Sequence, residues 1–190
     1  MGYLGNQITT VFPTSISVDS ATISGNTTIG GTLGVTGATT LSNQLTDANM
    51  SAGSVIQVVE ATHSAQAVTT SSSFVDTSLT VSITPRATSS KVLLLMNAQM
   101  YHGTGGAQAF VTLFRGDSSG TNLGNGDFGF GAAHNAAYAD KNTVSISYLD
   151  SPSTTNSQTY TCAIRLAGSG YSYLNVNGEK STLTAIEIAG

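Results

Sequence analysis

The sequence carries little charge. Charged residues make up 8% of the chain, against about 25% in an ordinary soluble domain, and no lysine or arginine precedes Arg86. So few cations cannot neutralise a nucleic-acid backbone, and no basic amphipathic helix is visible that would lie on a membrane. The composition therefore argues against nucleic acid and membrane as partners.

Cysteine and long apolar runs are also scarce. Cys162 is the single cysteine, so no intrachain disulfide can form, and its place in an alternating run predicts a small buried hydrophobe. No stretch of about 20 apolar residues is present to span a membrane. The first residues lack the basic region and apolar core of a signal peptide. If this protein acts outside a cell, we therefore expect it to be released by cell lysis rather than by secretion.

Catalytic patterns are missing as well. The three histidines have no metal-ligand spacing, serine occurs without a nucleophile elbow, and the glycine-rich stretch 124–131 has no strand-to-helix context for a phosphate loop. The acidic residues read as turn residues, as with Asp117 and Asp150, or as a solvated edge or ion-pair residue, as with Glu187. We expect no enzyme activity, no metal and no cofactor.

Hydroxyl side chains and extended segments dominate what is present. Serine and threonine together number 53, and from Val55 onward apolar residues alternate with them as in strands. Glycine, serine, asparagine or proline separates the segments, and no helix is predicted, so the sequence indicates an all-β, antiparallel, jelly-roll-like β-sandwich. The predicted strands are 55–60, 79–84, 91–99, 108–115, 143–150, 158–166, 171–177 and 182–188. The segment 91–99 is apolar on both faces, which predicts a central strand or one buried at a subunit contact.

A six-residue repeat precedes this domain. Apolar residues recur every six positions, and glycine follows two positions after the first three of them, a period that suits short extended units joined by tight turns. One chain would bury little by coiling such units alone, whereas three chains would cover each other, so we expect a homotrimer. The alternative is a flexible Gly/Thr-rich linker. The trimerisation residues of this hypothesis are Ile23, Ile29, Val35 and Leu41.

The first 20 residues contain scattered apolar side chains without helical spacing. Such a segment cannot form its own core, so it is either a disordered terminus or an anchor that becomes ordered on another protein. The anchor hypothesis rests on Tyr3, Leu4 and Phe12. The expected organisation is a leader at 1–20, a short intertwined β shaft at 21–53 and a β-sandwich at 54–190.

A long glycine-rich loop is expected from Gly116 to Asn142. Loops of this length are often functional, and aromatic rings on it could stack on sugars, or instead pack on the sandwich or on a neighbouring subunit. The receptor-contact candidates are Phe128, Phe130, His134 and Tyr138.

Two parts of the chain resemble known proteins. The repeat ISGNTTIGGTLGVTGATTLS resembles the shaft or neck of phage tail fibres. FRGDSSGTNLGNGD, YLDSPSTTNSQTYT, YLNVNG and STLTAIEIAG resemble a β domain of fibre-like virion proteins, notably of marine phages. The resemblance implies a homotrimer on an extracellular virus particle, made in the host cytoplasm. It also implies a role in adsorption or particle architecture, with a virion protein as partner and a host glycan or protein as receptor.

Three alternatives to a tail fibre stay open: a head fibre or capsid decoration protein, a secreted adhesin or lectin, and an enzyme. A tail fibre, a head fibre and a capsid decoration protein cannot be told apart from the sequence, because this chain is shorter than many fibres. A secreted trimeric adhesin or lectin is disfavoured by the missing signal peptide, and an enzyme by the missing catalytic patterns.

Overall fold

The computed structural model describes residues 31, 32, 34–37, 50–103, 107–134 and 140–190, with side chains for all of these except 133, 134 and 140. The chain divides into two compact units, Met1–Ser42 and Asn43–Gly190. In the first unit the described residues include Val35, whose side chain is 52% exposed in the single chain. The other expected trimerisation residues and the whole expected leader lie outside the described residues.

The second unit is built of β-strands. Their sequences are rich in alternating Val, Ile, Leu and Thr, which suits a pleated surface with one buried face. No helix occurs among the described residues, so none there could cross a membrane. The strands are β1 (Val55–His63), β2 (Ala67–Thr69), β3 (Val75–Ile83), β4 (Lys91–His102), β5 (Gln108–Arg115), β6 (Thr121–Asn122), β7 (Gly131–His134), β8 (Asp140–Asp150), β9 (Gln158–Ala167), β10 (Ser172–Leu174) and β11 (Ser181–Ile188).

These strands form two antiparallel sheets. In sheet A, β4 pairs with β8 along one side and with β11 and β10 along the other, while β1 pairs with β11 and β2 with β10. In sheet B, β9 lies between β3 and β5, and β6 and β7 both pair with β5. With the short β2, β6 and β10 set aside, the orders β1-β11-β4-β8 and β3-β9-β5-β7 are those of a jelly roll. The all-β, two-sheet prediction is confirmed.

The core lies between the sheets. Alternate residues of β3, β4, β5, β9 and β11 point inward, and Leu94, Val111 and Leu183 are fully buried. Cys162 belongs to the same cluster, so the prediction of a small buried hydrophobe is confirmed. Burial raises the pKa of its thiol to about 12.

Two details of the strand assignment differ from the sequence prediction. The expected loop 116–142 contains β6, β7 and the start of β8, because its backbone returns to the edge of sheet B and pairs there. The expected strand 171–177 is ordered as a strand only over Ser172–Leu174. It ends because Asn175 takes a positive φ of 60°, a backbone conformation that asparagine tolerates better than most residues.

Glu187 was expected to be solvated or ion-paired. Its side chain is instead fully buried, where it accepts hydrogen bonds from Gln57 Nε2 (2.5 Å) and from the backbone N–H of Arg86 (2.7 Å). The β-bulge near Val55/Gln57 brings the amide to the carboxylate. A buried carboxylate needs such donors, which alternation along β11 alone does not predict.

Candidate functional site

The outer face of sheet B is covered by the segment that follows β5. Phe110, Thr112 and Phe114 point away from the core, yet all three are buried. Residues 118–130 fold back over them, with Leu123 N donating to Leu113 O (2.9 Å) and Phe130 N to Val111 O (2.9 Å). The segment is therefore a layer fastened to the sheet by backbone hydrogen bonds.

Two asparagines and one glycine set the path of this layer. Asn122 Oδ1 accepts hydrogen bonds from Thr112 Oγ1 (2.6 Å) and Gly124 N (3.0 Å), and Asn125 Oδ1 accepts from the N–H groups of residues 127 and 128. Gly129 has a φ of 60°, and a Cβ there would lie 2.1 Å from the Val111 carbonyl oxygen. Only glycine permits this approach, because any side chain would push the layer off the sheet.

Arg165 lies beside the layer, on the outward side of β9. Its guanidinium carbon stands 4.7 Å from the ring centroid of Phe110 and 5.6 Å from that of Phe74, within cation–π range. Its Nη1 donates to the carbonyl oxygen of Ser72 (2.9 Å). Its Nε is buried without a hydrogen-bond partner in the described part of the chain. No carboxylate of those residues forms an ion pair with it.

A pocket of about 280 Å³ opens at this point. The covering layer contributes Asn122 and Asp127, and the approach to β3 contributes hydroxyl groups and an aromatic ring. The pocket thus combines one fixed cation, one carboxylate, neutral hydrogen-bonding groups and aromatic carbon, a set that suits a small polar ligand. Its lining is Ser72, Ser73, Phe74, Phe114, Ser118, Asn122, Gly126, Asp127 and Arg165.

Of the expected receptor-contact residues, Phe128 and Phe130 have described side chains, and these two pack on different rings. Phe128 is 59% exposed and packs on Phe110, with ring centroids 5.6 Å apart. Phe130 packs against the core and the Tyr148 ring at 5.4 Å. His134 belongs to β7, with its side chain outside the description, and Tyr138 lies outside the described residues. Phe128 is linked to the pocket indirectly, because the Phe110 ring on which it packs also contacts the guanidinium of Arg165, a lining residue.

Four of the nine lining residues belong to the stretch 116–142, which was expected to be a functional loop, whereas the other five were not predicted from the sequence. Arg165 is distant in sequence from the covering layer that it faces, and Phe74 is distant in sequence from both Arg165 and that layer. One clue in the sequence was a lone arginine in an alternating strand whose other outward residues are Thr159, Thr161, Ala163 and Ala167. The pairing of β9 with β3 and with β5 brings Arg165, Phe74 and the covering layer together, and the sequence does not predict that pairing.

The outer face of sheet A has a different character. Cross-strand neighbours Val58, Ile186, Leu93 and Leu149 form one continuous row across β1, β11, β4 and β8. Val58 is 58% and Leu149 47% exposed, and neighbouring outward positions hold Val55, Leu95 and Ile188. These seven residues are called the apolar face below. Leu93 and Leu95 explain why β4 reads as apolar on both sides, and β4 is central, as predicted.

The other end of sheet A carries tyrosines. The Tyr173 ring lies 5.5 Å from that of Tyr101 and 5.8 Å from that of Tyr171, which is 48% exposed. Between this cluster and the apolar face runs a polar band in which Asn97 Nδ2 donates to Ser145 Oγ and Gln99 Nε2 to Thr143 Oγ1. Along the strands, the outer face of sheet A therefore changes from the apolar face to a polar band and then to the tyrosine cluster.

The acidic residues are used structurally. Asp117 Oδ1 accepts from the N–H and hydroxyl of Ser119, which lowers the pKa of Asp117 and closes the turn after β5 as predicted. Asp150 was expected at a turn position, and it is the last residue of β8. Its side chain is only 6% exposed, because Tyr160 and Arg115 of sheet B bind its carboxylate. Within the described ranges, no three His, Cys, Asp or Glu side chains cluster as metal ligands.

Comparison with known proteins adds little. No family model matches the chain, and no curated protein matches it. Among solved structures, the VP2 subviral particle of infectious bursal disease virus is similar at a TM-score of 0.27 and 15% identity, over 70% of this chain and 38% of that chain. A likeness this low carries no argument about function.

Proposed function

We propose that the protein is a structural component of a virus particle, a short trimeric tail fibre that displays the β-sandwich outward, without catalytic activity. The proposal joins the repeat at 22–42 and the resemblance to phage fibre proteins with one structural observation. That observation is the apolar face of sheet A, which a single chain leaves in water.

Burying the apolar face against other copies is favourable. Each Å² of apolar surface removed from water contributes about 25 cal/mol, and a contiguous exposed apolar patch typically marks an interaction surface. A second copy fits because the face has few charges, with Lys91 on one side of the row and Glu60 on the other. Around a three-fold axis the same patch of three copies can meet, and Lys91 of one copy can approach Glu60 of the next.

The proposed partners follow from this arrangement. Two further copies of the chain cover sheet A, a tail or capsid protein holds the leader, and a host surface glycan or protein meets the exposed side. A head fibre or capsid decoration protein of the same build is the alternative, and it differs in where the leader binds.

The oligomeric state tests the proposal through Leu149. We expect Leu149→Glu to convert the trimer into a folded monomer, because three carboxylates would otherwise be desolvated at the shared face. Light scattering coupled to size exclusion gives the mass, and circular dichroism reports the fold. Leu149 is half exposed in the single chain, so the substitution leaves the core intact.

A matched control lies on the other sheet. Val75 is an exposed apolar residue of β3, 40% accessible, and Val75→Glu adds the same charge away from the apolar face. This variant should remain trimeric. A wild-type protein that is a folded monomer in dilute solution, or equal behaviour of the two variants, would contradict the proposed interface.

A further inference from the structure

We propose that the pocket beside Arg165 binds a carboxylate-bearing sugar unit, with the guanidinium holding the carboxylate and the surrounding groups holding the ring. The inference rests on the proposed function, since it names the ligand class of the outward-facing side of the fibre head. The pocket itself is lined by residues of one chain.

The state of Arg165 is the first support. Arginine prefers planar, two-pronged binding of carboxylates, yet this guanidinium has one hydrogen bond, to a carbonyl oxygen, and no carboxylate partner in the described part of the chain. The rings of Phe74 and Phe110 fix its plane. A cation held rigidly at a pocket wall with donors to spare can bind an anion at little entropic cost.

The remaining lining distinguishes a sugar from a simple anion. A pyranose needs hydrogen-bond acceptors as well as donors. The Asp127 carboxylate supplies acceptors, and the serine hydroxyls supply both. Phe74 offers an apolar surface to the carbon side of the ring. An inorganic anion would gain nothing from the apolar surface of Phe74.

The size and position of the pocket support a single ring. A volume of about 280 Å³ lies at the lower limit of ordinary ligand sites, which run from about 300 to 1,000 Å³. The pocket is on the outer face of sheet B, on the opposite side of the sandwich from the apolar face. Assembly through sheet A therefore leaves the pocket open to solvent.

Glucuronate and glucose provide a matched pair of probes, since they differ at the carboxylate. We expect saturation-transfer NMR and calorimetry on the full chain to show glucuronate binding at least about tenfold tighter than glucose. The affinity should fall as salt is raised, because the pair is partly exposed. Inorganic phosphate is the third probe and should compete poorly.

Variants assign the binding to the pocket. Arg165→Gln should weaken glucuronate binding at least about tenfold, and Arg165→Lys should restore it only in part, because an ammonium lacks the planar fork. Lys180→Gln removes the same charge from an exposed site elsewhere and should bind as the wild type does. Circular dichroism confirms that each variant is folded.

Several results would overturn the inference. These are equal binding of glucose and glucuronate, phosphate binding as tight as glucuronate, no binding of glucuronate to a folded trimer, or equal effects of the Arg165 and Lys180 substitutions. A monomeric wild type that still binds glucuronate would overturn the trimer and leave the pocket standing, so the two proposals fail separately.

Discussion

Arg115, Asp150 and Tyr160 tie the two sheets together at one end of the core. Tyr160 Oη donates to Asp150 Oδ2 (2.8 Å), and Arg115 Nη1 lies 3.2 Å from the same oxygen. Tyr160 is fully buried, and burial, with the hydrogen bond to Asp150 second, raises the pKa of its phenol far above the usual value of 10.0. The folded state therefore keeps a proton that the unfolded chain releases.

Alkaline stability should report this proton. The stabilisation is complete below pH 10 and is lost as the pH rises further, at up to about 1.4 kcal/mol per pH unit. We expect urea unfolding between pH 8 and pH 11.5 to show a steeper loss above pH 10 for the wild type than for Tyr160→Phe. The other groups that titrate at alkaline pH are present in both proteins, so their effects cancel in the difference between the two stability profiles. Parallel profiles would contradict the prediction, because they would mean that Tyr160 has the same pKa in the folded and unfolded chains.

Residue roles were the hardest feature to predict from the sequence. Asp117 was recognisable because its turn partner is two residues away. Glu187 was misread because its partner Gln57 is distant in sequence. The burial of Asp150 was not predicted because its partners, Tyr160 and Arg115, lie on strands of the other sheet. A hydrogen bond between residues close in sequence can be predicted from the sequence. The partners of a buried polar group on other strands cannot, because they depend on how the strands pair.

At the scale of elements, strand existence followed from alternation and strand neighbours did not. β5 has the bounds that its sequence predicts, Gln108–Arg115, while β6 and β7 were missed because they are short and glycine-rich. The pocket depends on those missed strands, since they place Asn122 and Asp127 near Arg165. A strand is recognised in a sequence by the alternation of apolar and polar residues, and a strand of two to four residues is too short to show that alternation.

The repeat at 22–42 makes a prediction at this scale. Val35→Asp should abolish the trimer at neutral pH or restrict it to low pH, because three carboxylates near one axis repel each other and resist desolvation. Sedimentation velocity at pH 7.5 and pH 4 measures this directly. Val35 is exposed in the single chain, so a folded domain is retained, and unchanged assembly at pH 7.5 would mean that Val35 faces water.

At the scale of the whole molecule, the proposal that the leader attaches the fibre to the particle can be tested. Deleting residues 1–20 should leave a soluble trimer that no longer joins virions. Particle purification followed by immunoblotting measures incorporation, and antibody labelling in electron micrographs shows tail or head for the full-length protein. Normal incorporation of the deleted protein would remove the anchor role.

The all-β fold class was readable from composition and alternation, whereas the two surfaces on which the proposals rest were not. Hydroxyl-rich strands without a helix indicated a sandwich, but the division into an apolar face on sheet A and a charged pocket on sheet B comes from the register. Val58, Ile186, Leu93 and Leu149 are far apart in sequence and become one row only through three strand pairings.

Because the pocket is complete within one chain, the proposed trimer would present three independent copies of it. A single sugar ring in a small open pocket is held weakly and released quickly. Once one copy is engaged, the others meet the same cell surface at a high effective concentration, and avidity can exceed the affinity of one site by about 10²- to 10⁴-fold. A fibre of this kind would sample a surface reversibly through one head and stay only where the sugar is dense.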